Sequence, residues 1–174
     1  MTIFHAVLAL VLLQRGGELV LARANTVRLL RLGAVEFDRT GYKFFVLLHA
    51  AWLIALAVTV PGATHPHWPL LELFFLLQAG RVWVIASLGR RWTTRLIVCP
   101  GAALVASGPY CLFRHPNYLI VLGELAILPL AFGALAIAVG FSVCNAALLL
   151  RRIRLERATL DFPAARLCRS EFIR

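Results

Sequence analysis

YLIVLGELAILPLAFGALAIAVGFSVCNAALLL, residues 118–150, runs for 33 residues with Glu124 as its only charge. As a single helix it would be roughly 50 Å long at about 1.5 Å per residue, well beyond the ~30 Å hydrocarbon core of a bilayer. Pro129 and Gly133 fall near its middle, where a helix is easily broken. The stretch therefore predicts two helices in a tight hairpin.

Working outward, three further apolar runs approach the ~20 residues that a crossing needs. Ile3 to Ala22 contains Arg15 and Glu18, Phe44 to Val60 is ended by Pro61-Gly62, and Trp68 to Leu88 carries Glu72, Gln78 and Arg81. The expected fold is an all-α polytopic integral membrane protein of about five transmembrane helices, a single domain over residues 1–174. The composition agrees: 61% hydrophobic, 15% charged and a mean hydropathy of +0.83 are more apolar surface than a soluble chain of 174 residues could bury. The first run follows no basic n-region and is interrupted by charge, unlike a cleavable signal peptide. Cys99, Cys111, Cys144 and Cys168 show no C-x-x-C spacing, so neither a metal site nor a disulfide framework is expected.

A net charge of +10 would suggest nucleic acid in a soluble protein, but here the basic residues sit at the edges of apolar runs. Five lie between Ala22 and Lys43, four between Gly89 and His115 and seven from Arg151 onward, sixteen of the eighteen in all. The connection Pro61 to His67 and the turn near Pro129 have none. Cytoplasmic loops are enriched in Lys and Arg, so five spans put every basic segment, and the C-terminus, in the cytoplasm. No nucleic-acid partner is expected. Seventeen Arg to one Lys suits a GC-rich bacterial genome, hence a bacterial inner membrane.

The stretch Leu96 to Ala106 is apolar, too short to span, and contains Pro100-Gly101. It reads as an interfacial segment leading into a turn at Ser107-Gly108-Pro109-Tyr110. The most specific run follows: Gly108-Pro109-Tyr110-Cys111-Leu112-Phe113-Arg114-His115-Pro116-Asn117-Tyr118, and beyond the hairpin Arg152-Ile153-Arg154-Leu155-Glu156. Pro116 suits the first turn of a helix, where its missing N–H costs nothing and neighbouring amides stay free. A sulfonium cofactor with an adenine, ribose hydroxyls and an amino acid tail needs aromatic faces, hydrogen-bond partners and a carboxylate. Tyr110, His115, Asn117, Tyr118 and Glu156 supply that set.

This pattern resembles the isoprenylcysteine carboxyl methyltransferase family and its relatives among membrane phospholipid methyltransferases, over roughly residues 96–160. The resemblance implies S-adenosyl-L-methionine as cofactor, bound by His115, Pro116, Asn117, Tyr118, Tyr110, Glu156 and the upstream Ala102, Ala103, Leu104 and Val105. It implies that Arg152, four residues before Glu156, faces the substrate. Where the family has two consecutive acids, Glu156 is followed by Arg157. Arg15-Gly16-Gly17-Glu18-Leu19, Asn25, His49, Gln78 with Arg81 and Trp83, and Glu124 are similar to a bacterial branch that O-methylates alkylpyrones or related phenolic lipids. The implied acceptor is then a hydrophobic, lipid-like molecule, either an isoprenylcysteine-type carboxylate or such a lipid.

Plainer readings stand beside these. Arg114-His115-Pro116 could be a membrane-entry turn, and Arg152 with Glu156, at i,i+4, a solvated ion pair worth a few tenths of a kcal/mol. Arg15 with Glu18, and Glu72 with Arg81, are expected to neutralise each other between helices. Glu124, with no basic residue nearby in sequence, is the candidate substrate-facing group or general base, and equally a packing residue. Two rivals remain for the whole chain: an NADPH-dependent membrane reductase related to sterol reductases, and a non-catalytic membrane protein that keeps the fold.

Overall fold

The computed structural model describes residues 2–98 and 107–160. Five helices carry the fold: α1 Ile3–Arg31, α2 Arg39–Thr59, α3 Trp68–Leu88, α4 Pro116–Ala131 and α5 Leu135–Leu160. Four are long and apolar enough to cross a membrane, and α4, at 16 residues, is shorter. The protein is an all-α, multi-pass integral membrane protein.

The hairpin forms where the sequence placed it. Helix α4 runs through Pro129 for one more half-turn and stops at Ala131. Gly133 then takes φ 75°, a left-handed conformation that costs glycine little, and Ala134 N–H donates to the Pro129 carbonyl at 2.9 Å.

Connections alternate between two ends of the bundle. At one end His67 N–H donates to the Ala131 carbonyl at 2.8 Å, and Phe4 packs edge-on against Phe132 with ring centroids 5.0 Å apart. At the other, the α1–α2 and α3–α4 connections meet the end of α5, where Arg151 pairs with Asp38 at 2.9 Å. This second end carries the basic segments.

Two boundaries differ from expectation. Helix α1 continues past Ala22 for nine residues because arginines do not end a helix and nothing before Gly33, at φ 86°, breaks it. Its extension is packed: Asn25 Nδ2 donates to the Trp92 carbonyl at 2.8 Å, and Thr26 Oγ1 meets Thr93 Oγ1 at 2.9 Å. The start of the 96–106 segment is a strand. Leu96–Val98 (β2) pairs antiparallel with Val35–Phe37 (β1), in register Val35 with Val98 and Phe37 with Leu96. Residues 99–106, including Ala102, Ala103, Leu104 and Val105, lie outside the described residues.

Helix α4 is the hub, with half of its residues buried. Gly123 brings it close to α3, since a Cβ there would meet Leu77 Cδ1 at 2.8 Å. Phe4, Val7 and Val11 of α1, Trp52 and Leu56 of α2, Phe74 of α3 and Leu125 and Leu128 of α4 form one apolar cluster. Leu13, Val20, Val58, Leu76 and Val143 point outward, as lipid-facing side chains do. Lipid tails are as apolar as leucine, so apolar packing alone favours association weakly and polar contacts between helices weigh more.

Candidate functional site

Those polar contacts form a cluster between α1, α3 and α4. Arg81 holds Glu18 with two nitrogens, Nε to Oε1 at 2.5 Å and Nη2 to Oε2 at 2.7 Å, and reaches Glu124 Oε2 through Nη1 at 3.0 Å. Arg15 bonds Glu18 at 3.0 Å and also Glu124. Gln78 Nε2 donates to Glu124 Oε1 at 2.9 Å. Two guanidiniums and two carboxylates thus cancel within the bundle, which is the condition for keeping charge there.

The arrangement corrects two expectations. Arg81 pairs with Glu18 and Glu124, while Glu72 is exposed on α3. Glu124 has basic partners, contributed by Arg15 and Arg81 from 109 and 43 residues away. It is fully buried and engaged at both oxygens. That geometry ties three helices together.

The second assembly lies at the basic end, where α4 starts and α5 finishes. Gly108 opens a 3-10 turn, Gly108–Cys111, at φ 60°; a Cβ there would strike Ser87 Oγ of α3, so the turn seats directly on that helix. Five residues on, Pro116 occupies the first turn of α4 and His115 caps it. The two ends of the motif are thereby fixed against the bundle, and His115 and Tyr118 reach Glu156 of α5.

His115 and Tyr118 stack face to face, ring centroids 5.1 Å apart and planes 8° from parallel. Both address Glu156 Oε2: the Tyr118 hydroxyl donates to it at 3.1 Å and His115 Nδ1 lies 3.8 Å away. Tyr110 belongs to the same group. Burial, then the Glu156 charge, pushes its phenol up to about 12, so it stays a protonated donor through the neutral range.

Arg152, one turn back on α5, has partners of its own. Its Nη1 donates to the Thr94 carbonyl at 2.9 Å, and its guanidinium lies 5.4 Å from the Phe45 ring centroid of α2 and 6.0 Å from that of Tyr118. Arg152 Nε and Asn117 Oδ1 are buried without a hydrogen-bond partner among the described residues. A donor beside two aromatic faces and a carboxylate is what a charged, hydrogen-bonding ligand would use.

The fold therefore brings together Tyr110, His115, Tyr118, Arg152 and Glu156, while Pro116 and Asn117 lie between His115 and Tyr118 in the first turn of α4. It sets Glu124 apart, six residues and roughly 9 Å along α4 from Tyr118 at helical rise. Phe45 and Thr94 had not been singled out. Thr94 contributes only a backbone carbonyl, which no side-chain pattern announces, and Phe45 is one of 11 phenylalanines. Among the described residues no cluster of metal-ligating side chains occurs.

The fold is an apolar multi-pass bundle with a polar cluster at one end, built from a Gly-Pro-Tyr turn, a His-Pro-Asn-Tyr helix start and a following Arg and Glu. Residues 70–161, more than half of the chain and all of this site except Phe45, match the isoprenylcysteine carboxyl methyltransferase (ICMT) family. The chain belongs to that family, one of membrane methyltransferases. It is also 33% identical over 162 residues to the uncharacterized protein YpbQ of Bacillus subtilis (strain 168), covering 91% of this chain and 96% of that protein. No solved structure matches it.

Proposed function

We propose that the protein is a single-domain S-adenosylmethionine-dependent methyltransferase of a bacterial inner membrane, which O-methylates a hydrophobic, lipid-like acceptor drawn from the bilayer. The observation that carries this is the convergence of His115 and Tyr118 on Glu156, one helical turn from Arg152. The basic end is then the cytoplasmic one, where the cofactor is available.

The available groups fit the cofactor. The stacked rings of His115 and Tyr118 offer a flat face, the Tyr110 hydroxyl donates, the Tyr118 hydroxyl oxygen and Asn117 Oδ1 accept, and Glu156 matches hydroxyl or ammonium donors. S-adenosylmethionine supplies an electrophilic methyl on a sulfonium, so the new oxygen–carbon bond forms as the sulfur–carbon bond breaks, leaving S-adenosylhomocysteine. In such a displacement the protein aligns donor and acceptor and keeps water out. Arg152, with Nε unpaired, holds the anionic acceptor oxygen, whether a carboxylate or a phenolate or enolate of an alkylpyrone-like lipid. A carboxylate acceptor needs no base. For a phenol, His49 of α2 is the remaining imidazole near the bundle interior, with Nδ1 bonded to the Phe45 carbonyl at 2.8 Å.

Calorimetry on purified protein tests the assignment. S-adenosylhomocysteine should bind and NADPH should not compete. Binding of NADPH in preference would replace the methyltransferase with a reductase.

A further inference from the structure

Asn145 of α5 is fully buried, and neither its Nδ2 nor its Oδ1 has a hydrogen-bond partner among the described residues. Buried amides without partners are few in native proteins, and within a bilayer no bulk water is at hand to repair one. Its position follows from helix geometry. Arg152 of α5 lies over Phe45 of α2. Seven residues back on α5, almost two full turns and therefore on the same face, stands Asn145. Seven residues onward on the antiparallel α2 stands Trp52, also fully buried, with Nε1 unpartnered among the described residues. Ser142 Oγ, one turn beyond Asn145, is another. Unpaired polar atoms thus run inward from Arg152 along facing sides of α2 and α5.

We propose that Asn145, about 10 Å along α5 from Arg152 and with Trp52 at the matching level of α2, determines acceptor specificity by hydrogen-bonding a polar ring group of the lipid head. Asn145 presents one acceptor and a donor, and Trp52 a further donor, a set that suits a ring hydroxyl or carbonyl. It does not suit a hydrocarbon tail beginning directly behind the reactive oxygen. A site built to bond a hydroxyl discriminates strongly against the analogue that lacks it, because its own groups are then left unpaired. Calling the ligand the methyl acceptor rests on the methyltransferase proposal; its binding at Asn145 does not.

The test compares two probes in nanodiscs without methyl donor, a long-chain alkylresorcinol and the matching alkylphenol, which differ by one ring hydroxyl. Wild type should bind the alkylresorcinol at least about tenfold more tightly. N145L should lose that preference while keeping its affinity for S-adenosylhomocysteine and its melting temperature, since leucine is close in size and brings no polar atom of its own into the core. W52F should move in the same direction, and it stands in for N145L should that variant not fold. Absence of a preference in wild type, or its retention in N145L or W52F, would overturn the assignment. A preference that N145L removes in a protein that binds no S-adenosylhomocysteine would uphold Asn145 and reject the methyltransferase proposal.

Discussion

Glu156 and Arg152 are four residues apart on one helix and act in different places, one under the Tyr118 hydroxyl and the other against Thr94 and Phe45. Glu156→Gln should raise the KM for S-adenosylmethionine by about tenfold or more, the loss of a charge-assisted bond being roughly 1.5–3 kcal/mol. Arg152→Ala should impair use of the lipid acceptor with cofactor affinity nearly intact. A mere exposed ion pair would give small, equal effects, of about 0–1 kcal/mol, and exchanging the two residues would restore wild-type kinetics. His115→Ala and Tyr118→Phe should each weaken S-adenosylhomocysteine binding more than folding, and unchanged affinity in both would empty the pocket of its assigned ligand. Most of these side chains were legible in the sequence because they lie in two local runs with helix-start chemistry between them. Thr94 and Asn145 were not, since a carbonyl partner or an unpaired amide becomes visible only once helices are packed.

Between helices the decisive object is the Arg15, Glu18, Arg81 and Glu124 cluster, which ties α1, α3 and α4. Removing one carboxylate leaves a buried positive charge uncompensated, a change that costs roughly 3–5 kcal/mol. Glu124→Gln should therefore lower the melting temperature markedly, and Arg81→Leu in the same chain should recover part of it by restoring neutrality. Were Glu124 the general base instead, the single change would leave stability intact and abolish transfer. The individual charges and the Arg15–Glu18 pair were plain in the sequence, but the partners on other helices, up to 109 residues apart, were not. Helix limits behaved similarly. The hairpin turn was readable from Gly133, whereas the extension of α1 depends on Asn25 and Thr26 meeting residues 92 and 93. The β1–β2 ribbon, three residues a side, is too short to show an alternating pattern.

For the whole molecule, thirteen basic residues among the described ones lie in the segments at one end of the bundle, and the proposal makes that end cytoplasmic. A reporter fused after Arg174 should be cytoplasmic, and a cysteine placed between Pro61 and His67 should be labelled from outside. Labelling of that loop only from the cytoplasm would invert the protein and remove the site from its cofactor. The central claim is methyl transfer at the basic end. Its most direct measurement incubates purified protein in nanodiscs with bacterial lipid extract and S-adenosylmethionine labelled in the methyl group, and counts label in the organic phase. Wild type should load the lipid fraction, with loading strongly reduced in Glu156→Gln and Arg152→Ala. Label that stays in the aqueous phase with wild type, or lipid loading that both variants leave unchanged, would contradict the account.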